Sequence, residues 1–217
     1  MNPQAIAHHL DDEIIWDFVC HKLEFGENLI VRTHISLCAE CAKTLAVFEA
    51  AGGELLNDIN GIEMNDDALD LALARIELKD VEIPKAKPSK SEAFGFDLPA
   101  TLSGIEIKNR HFLGPNVWIA PIEEGKNKSQ TYLLWIKGGQ DILPHTHTKR
   151  EMTLVLSGGF KDGDNSYNAG DFVVCDDSIS HAPIMLADED CLCLVYQDGP
   201  IKPQTILGHL LKPFARI

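Results

Sequence analysis

The chain has 217 residues, with 33 Asp and Glu against 19 Lys and Arg and a formal net charge of −14. That length supports one large domain or two small ones, each able to bury a core. The acidity disfavours nucleic acid and anionic lipid and favours a basic protein surface. No run of about 18 apolar residues exists to span a bilayer, and the N-terminal MNPQAIAHHLDDE lacks the basic and apolar regions of a secretion signal. Six cysteines, at 20, 38, 41, 175, 191 and 193, fit thiols and metal ligands in a reducing compartment better than a disulfide framework, so a cytoplasmic protein is expected.

The charge is uneven. Residues 1–83 hold 17 acidic side chains against 5 basic ones, net −12, while the remainder is close to balance at −2. The same 83 residues carry helical periodicity. Leu10, Ile14, Phe18 and Val19 recur at helix spacing beside Asp11, Asp12 and Glu13, which suit the positive end of a helix dipole. Leu29, Ile30 and Leu37 extend the pattern, and Leu45, Val47, Phe48, Leu55 and Leu56 follow it. Gly52-Gly53 is either a tolerated weak point or a helix end. A further helix is expected near Asp67 to Leu78, making about four in all.

Within this region lies His34-x3-Cys38-x2-Cys41. Donors at i, i+4 and i+7 share one side of a helix or helix junction, so a single ion can meet all three. A structural zinc site takes four ligands, and the Cys-x2-Cys pair gives the usual tight bite. The fourth ligand must come from elsewhere. Cys20, beside Phe18 and Val19, reads as a buried small hydrophobe, although Cys20 or His21 could reach back from the end of the first helix. A redox dithiol at Cys38 and Cys41 would call for a thioredoxin-like βαβ pattern, which is missing.

Composition shifts at Ile83-Pro84-Lys85-Ala86-Lys87-Pro88-Ser89-Lys90-Ser91-Glu92, which reads as a linker over residues 84–96. Beyond it come short apolar or alternating runs between turn signals: Gly104 to Ile107, Asn116 to Ala120, Thr131 to Lys137, Met152 to Leu156, Asp171 to Cys175 and Cys191 to Gln197. These predict an all-β sandwich or barrel over residues 97–217. It contains Gly139-x5-His145-x-His147-x3-Glu151-x6-Gly158 and Gly170-x10-His181. On strands, His145, His147 and Glu151 share one face, and three imidazoles with a carboxylate suit a divalent transition metal with an open position.

These spacings resemble both motifs of the cupin superfamily, a double-stranded β-helix or jelly-roll barrel. The second motif departs from the usual pattern at Asp176, Ser178 and Met185. A small all-α zinc-binding bundle followed by a cupin, an α+β two-domain chain, resembles the ChrR-type zinc anti-sigma factors over nearly its whole length. The resemblance implies that His9 joins His34, Cys38 and Cys41 around a structural Zn2+. It also implies that the helical domain inhibits an extracytoplasmic-function (ECF) sigma factor, with no direct contact to nucleic acid. The cupin would hold a divalent metal, with zinc expected, on His145, His147, Glu151 and His181, and would sense oxidative stress such as singlet oxygen or organic peroxide. Cys191 and Cys193 share one face of a strand; a redox role there competes with a reading as plain core residues. The main alternative is a metal-dependent cupin dioxygenase or isomerase with a zinc docking module. A zinc-dependent DNA binder fits least, because the zinc module is acidic and has no basic recognition helix.

Overall fold

The computed structural model describes residues 5–77, 94–124 and 129–204, so most of the expected linker lies outside the described residues. Four helices come first: α1 (Asp12–Val19), α2 (Phe25–Leu37), α3 (Ala39–Asn57) and α4 (Ala68–Glu77). Asp12 and Glu13 occupy the first turn of α1 as the dipole favours. A capping box starts α2, in which the Glu24 N–H donates to the Glu27 carboxylate at 2.9 Å. The predicted continuous helical pattern breaks at Cys38, which is extended and serves as the N-cap of α3. Gly52 and Gly53 are carried inside α3, exposed and with space around them.

After a 3-10 turn, Ala100–Leu102, twelve strands follow: β1 (His111–Gly114), β2 (Val117–Glu124), β3 (Gln130–Ile136), β4 (His145–His147), β5 (Glu151–Ser157), β6 (Gly159–Asp162), β7 (Asn165–Asn168), β8 (Phe172–Cys175), β9 (Ser180–His181), β10 (Ile184–Met185), β11 (Cys191–Gln197) and β12 (Ile201–Pro203). One six-stranded sheet runs β1-β2-β3-β11-β5-β8, and two three-stranded sheets run β10-β6-β7 and β12-β4-β9. Five of the six expected strand runs form. The sixth, Gly104 to Ile107, does not: Gly104 sits at φ +79° in a turn, and the chain first enters the sheet at His111.

The large sheet is covered on both faces, which explains why all seven residues of β11 are buried. Cys191, Cys193 and Val195 point into the barrel with Tyr132, Val155 and Phe160. Leu192, Leu194 and Tyr196 point outward, into a cluster that includes Leu133, Met152 and Leu154 of the sheet, Leu10 of the segment before α1, and Ile14, Ile15, Leu29, Ile30 and Val31 of the helices. The helical bundle and the barrel therefore share one apolar core. Phe94, inside the span expected to be linker, is buried with its ring 5.8 Å from that of Trp118.

At this junction α2 comes close enough to the barrel that any Cβ at Gly26 would collide with Thr131 Oγ1 and with Tyr196 Cδ2. Arg150 of the barrel pairs with Glu27 of α2, and the Arg32 guanidinium donates to the Thr101 carbonyl at 3.1 Å.

Candidate metal centres

The junction between α2 and α3 assembles the first cluster. His34 is on the last turn of α2, Cys38 caps α3 and Cys41 is one turn further on, while His9 arrives from the segment before α1. His9 Nδ1 lies 3.2 Å from Cys38 Sγ and 3.8 Å from Cys41 Sγ, and His34 Nε2 lies 3.3 Å from Cys41 Sγ. Zinc bonds of ordinary length in a tetrahedron imply N–S edges of about 3.5 Å. All four donor atoms fall within 4.8 Å of one another, so the residues fit a closed tetrahedral ion. Burial lowers the His34 imidazole to about 4, partly offset by the nearby Gly170 backbone, which keeps the ring neutral and available as a ligand. Burial raises the Cys41 thiol to about 11, and a bound cation would reverse that by stabilising thiolate. His9 Nε2 lies 3.5 Å from Glu40 Oε2, on the side of the ring away from the cysteines.

The second cluster is strand-borne. His145 and His147 stand two apart on β4, and β4 pairs with β9 so that His145 is opposite His181. His181 Nε2 is 3.0 Å from both His145 Nε2 and His147 Nε2. The tautomers make this informative: His145 Nδ1 donates to the Leu143 carbonyl at 2.9 Å, and His181 Nδ1 donates to Asp162 Oδ2 at 2.9 Å. With each Nδ1 proton directed outward, Nε2 of His145 and Nε2 of His181 are the ring atoms that converge, and from there they would hold a divalent cation at the centre of the trio. His147 is lowered to about 3 and His145 is lowered as well, burial being the main cause for each.

Glu151 stands beside this trio. Its Oε2 is 3.5 Å from Nδ1 of His147, on the far side of that ring, and Thr153 donates to its Oε1 at 3.3 Å. Burial raises its carboxyl to about 7.

Residues 110–201 match the family described as the ChrR cupin-like domain. The chain is 31% identical over 216 residues to the anti-sigma-E factor ChrR of Cereibacter sphaeroides, covering 98% of this chain and 100% of that protein. It is also similar to the crystal structure of Rhodobacter sphaeroides SigE in complex with the anti-sigma ChrR, with TM-score 0.69 and 30% identity, over 89% of this chain and 100% of the other. The chain belongs to the ChrR family of anti-sigma factors.

In this ChrR-family chain the cupin histidines border a cavity of about 260 Å³, walled by apolar side chains such as Leu134, Ile136, Phe160 and Met185, with His145, Glu151 and His181 at its polar edge. Met185, one of the three departures from the cupin pattern, is therefore a wall residue. The other two rebuild the turn, since the Asp176 carboxylate accepts from the Ser178 N–H at 2.9 Å and hydroxyl at 2.6 Å.

Cys191 and Cys193 are free thiols whose Sγ atoms lie 3.6 Å apart, Cys193 on the cavity wall. The Cys191 thiol beside it, then burial, push the Cys193 thiol well above its usual range. Cys20 is exposed at the end of α1, a correction to the buried reading, because α1 stops there and the chain turns away through His21 at φ 53°. Neither joins the helical cluster. Sequence reasoning missed Asp162 and Glu40, because their roles depend on tertiary contacts that leave no spacing signature.

Proposed function

We propose that this chain holds an ECF-type sigma factor on its helical part, residues 1–83, and releases it in response to a signal read by the cupin, residues 97–217, across the segment 84–96. In this reading Zn2+ on His9, His34, Cys38 and Cys41 is structural: four donors leave no open position, and zinc binding in small metallodomains is worth on the order of 10 kcal/mol. A divalent metal, zinc expected, sits on His145, His147 and His181 with Glu151 at hand. The apolar cavity beside it suits a sensor that admits oxidants such as singlet oxygen or organic peroxide, with Cys191 and Cys193 as a nearby dithiol. In this reading the protein acts in the cytoplasm as a regulator and not as an enzyme. Among the described residues no helix is long and apolar enough to cross a membrane.

The carrying observation is the apolar surface left open by the helices. Leu69, Leu71, Leu73 and Ile76 of α4 are 49–70% exposed, and Val47, Leu55 and Leu56 of α3 are 65–68% exposed. Such a concentration of uncovered large apolar side chains marks an interaction surface. It is set in the net −12 region, which complements the basic, DNA-contacting surfaces expected of a sigma factor and steers the encounter. ChrR in the matched crystal structure is bound to SigE.

The test is in vitro transcription by core polymerase and an ECF-type sigma factor from the same organism. Adding the zinc-loaded full chain should abolish sigma-dependent transcripts, and Leu69→Asp with Leu73→Asp should restore them. Undiminished transcription with the unaltered chain would overturn the reading, and turnover of a small molecule that depends on His145 would favour the enzyme.

A further inference from the structure

We propose that Asp171, a barrel residue outside both donor clusters, is a positioning residue for the helical metal centre: its carboxylate clamps residues 7 and 8 and so fixes where His9 presents Nδ1. The proposal rests on the reading of His9 as a zinc ligand and adds to it a requirement from the other half of the chain.

His9 is the one donor of its cluster that lies neither in a helix nor at a helix cap. The α1 helix begins only at Asp12, and residues 5–11 are irregular. A ligand on such a segment must be ordered by something else, at about 1–2 kcal/mol of backbone entropy per residue. The turn between β7 and β8 supplies the order.

Asp171 is 1% exposed. Its Oδ1 accepts from the Ala7 N–H at 2.7 Å and the His8 N–H at 3.0 Å, and its Oδ2 accepts from the Asn168 N–H at 2.8 Å. The next residue, Phe172, donates its N–H to the His8 carbonyl at 3.1 Å, so His8 is fastened at both backbone groups. The His8 ring rests 4.4 Å from that of Tyr167, and its Nε2 is 3.2 Å from the Ser166 carbonyl. Gly170, at φ +95°, leaves room for Ile6, whose side chain a Cβ there would meet at 2.7 Å. Every residue from 6 to 8 is thus seated on one barrel turn, and residue 9 follows directly with its Nδ1 3.2 Å from Cys38 Sγ.

The strand that follows the turn meets a second donor, since the ring of Phe172, first in β8, lies 5.8 Å from the ring of His34. A buried carboxylate that gathers backbone N–H groups fixes main chain more firmly than an apolar contact would, because releasing the strap leaves both the charge and the donors unsatisfied. The clamp makes the metal centre of the helices answerable to the barrel. The strand that leaves the clamp, β8, ends at Cys175, whose Sγ is 3.8 Å from His181 Nδ1.

The experiment uses the full chain loaded with Co2+. Its thiolate-to-metal absorption band reports the helical centre alone, because the barrel histidine trio has no cysteine donor. Decay of this band is timed under excess EDTA, with far-UV circular dichroism as a fold control. Asp171→Ala should speed the decay by about tenfold or more, the usual scale for outer partners of metal ligands. Asp171→Asn, which keeps an acceptor, should recover part of the difference. Ala7→Pro removes one clamp donor without altering the barrel and should shift the rate in the same direction. Unaltered decay in Asp171→Ala or in Ala7→Pro, while His9→Ala abolishes the band, would overturn the clamp alone. A normal band in His9→Ala would instead overturn the ligand reading on which the clamp depends.

Discussion

The two donor clusters use the same residue types on opposite scaffolds. The helical cluster draws two thiols and two imidazoles from a helix junction and a strap into a closed tetrahedral set. The barrel cluster draws three imidazoles from two short paired strands and borders an apolar cavity. Helical spacing lets three donors lie within eight residues, so closure needs only one distant ligand. Strand pairing spreads donors over 36 positions, from His145 to His181, and sets two of the three against the cavity. A closed set lends itself to fastening and an open set to reading a small molecule.

The largest effect should come from breaking the closed set. Cys38→Ser or Cys41→Ser should remove the metal of the helical centre and, with it, sigma inhibition, at a loss on the order of 10 kcal/mol of binding free energy; elemental analysis of the full chain beside a transcription assay would show it. The barrel metal should stay. The reciprocal change, His147→Ala with His181→Ala, should empty the barrel site while the thiolate-bound metal and inhibition persist and the response to oxidant is lost. Loss of inhibition in that double variant would mean that the two centres do not divide the work as their geometries suggest.

The helical cluster was nearly legible in the sequence because its spacing is local: His34, Cys38 and Cys41 advertise one helix face. The barrel histidines were legible for a similar reason, the i, i+2 parity of a strand. What stayed hidden is the contact between the parts. Nothing in the sequence around Gly26 indicates that its missing Cβ makes room for Thr131, and nothing around Asp171 indicates that it holds residues 7 and 8, because both depend on neighbours more than 100 positions away. Short strands such as β9 and β10, two residues each, carry too little alternation to be read. The expected strand at Gly104 to Ile107 failed where a left-handed glycine makes a turn.

Gly26 offers a sharper test of whether the two regions behave as one body. Gly26→Val places a branched side chain against Thr131 Oγ1 and the Tyr196 ring, and overpacking of this kind destabilises by about 1–3 kcal/mol. Because the collision lies at the seam, thermal unfolding should change from one transition to two, with the bundle melting ahead of the barrel. A single transition lowered as a whole would show that the shared core tolerates the strain without parting.

The smallest effect should come from the ion pair at the same seam. Glu27 is nearly buried, with 7% of its side chain exposed, while Arg150 keeps 42% of its own in water. Removing the cation by Arg150→Ala leaves a buried carboxylate with one oxygen still held by the Glu24 N–H and the other unpaired. A fully buried broken pair costs about 3–5 kcal/mol; the exposure of Arg150 lets water reach the vacated position, which lowers the expectation to about 1–2 kcal/mol. Urea unfolding should show a lower midpoint with an unchanged slope. Glu27→Gln on top of Arg150→Ala removes the stranded charge and should recover part of the loss, so a double-mutant cycle yields a favourable coupling between the two residues. Purely additive effects would mean that the seam is held by its apolar core and the Gly26 contact, with the ion pair contributing only solubility at its rim.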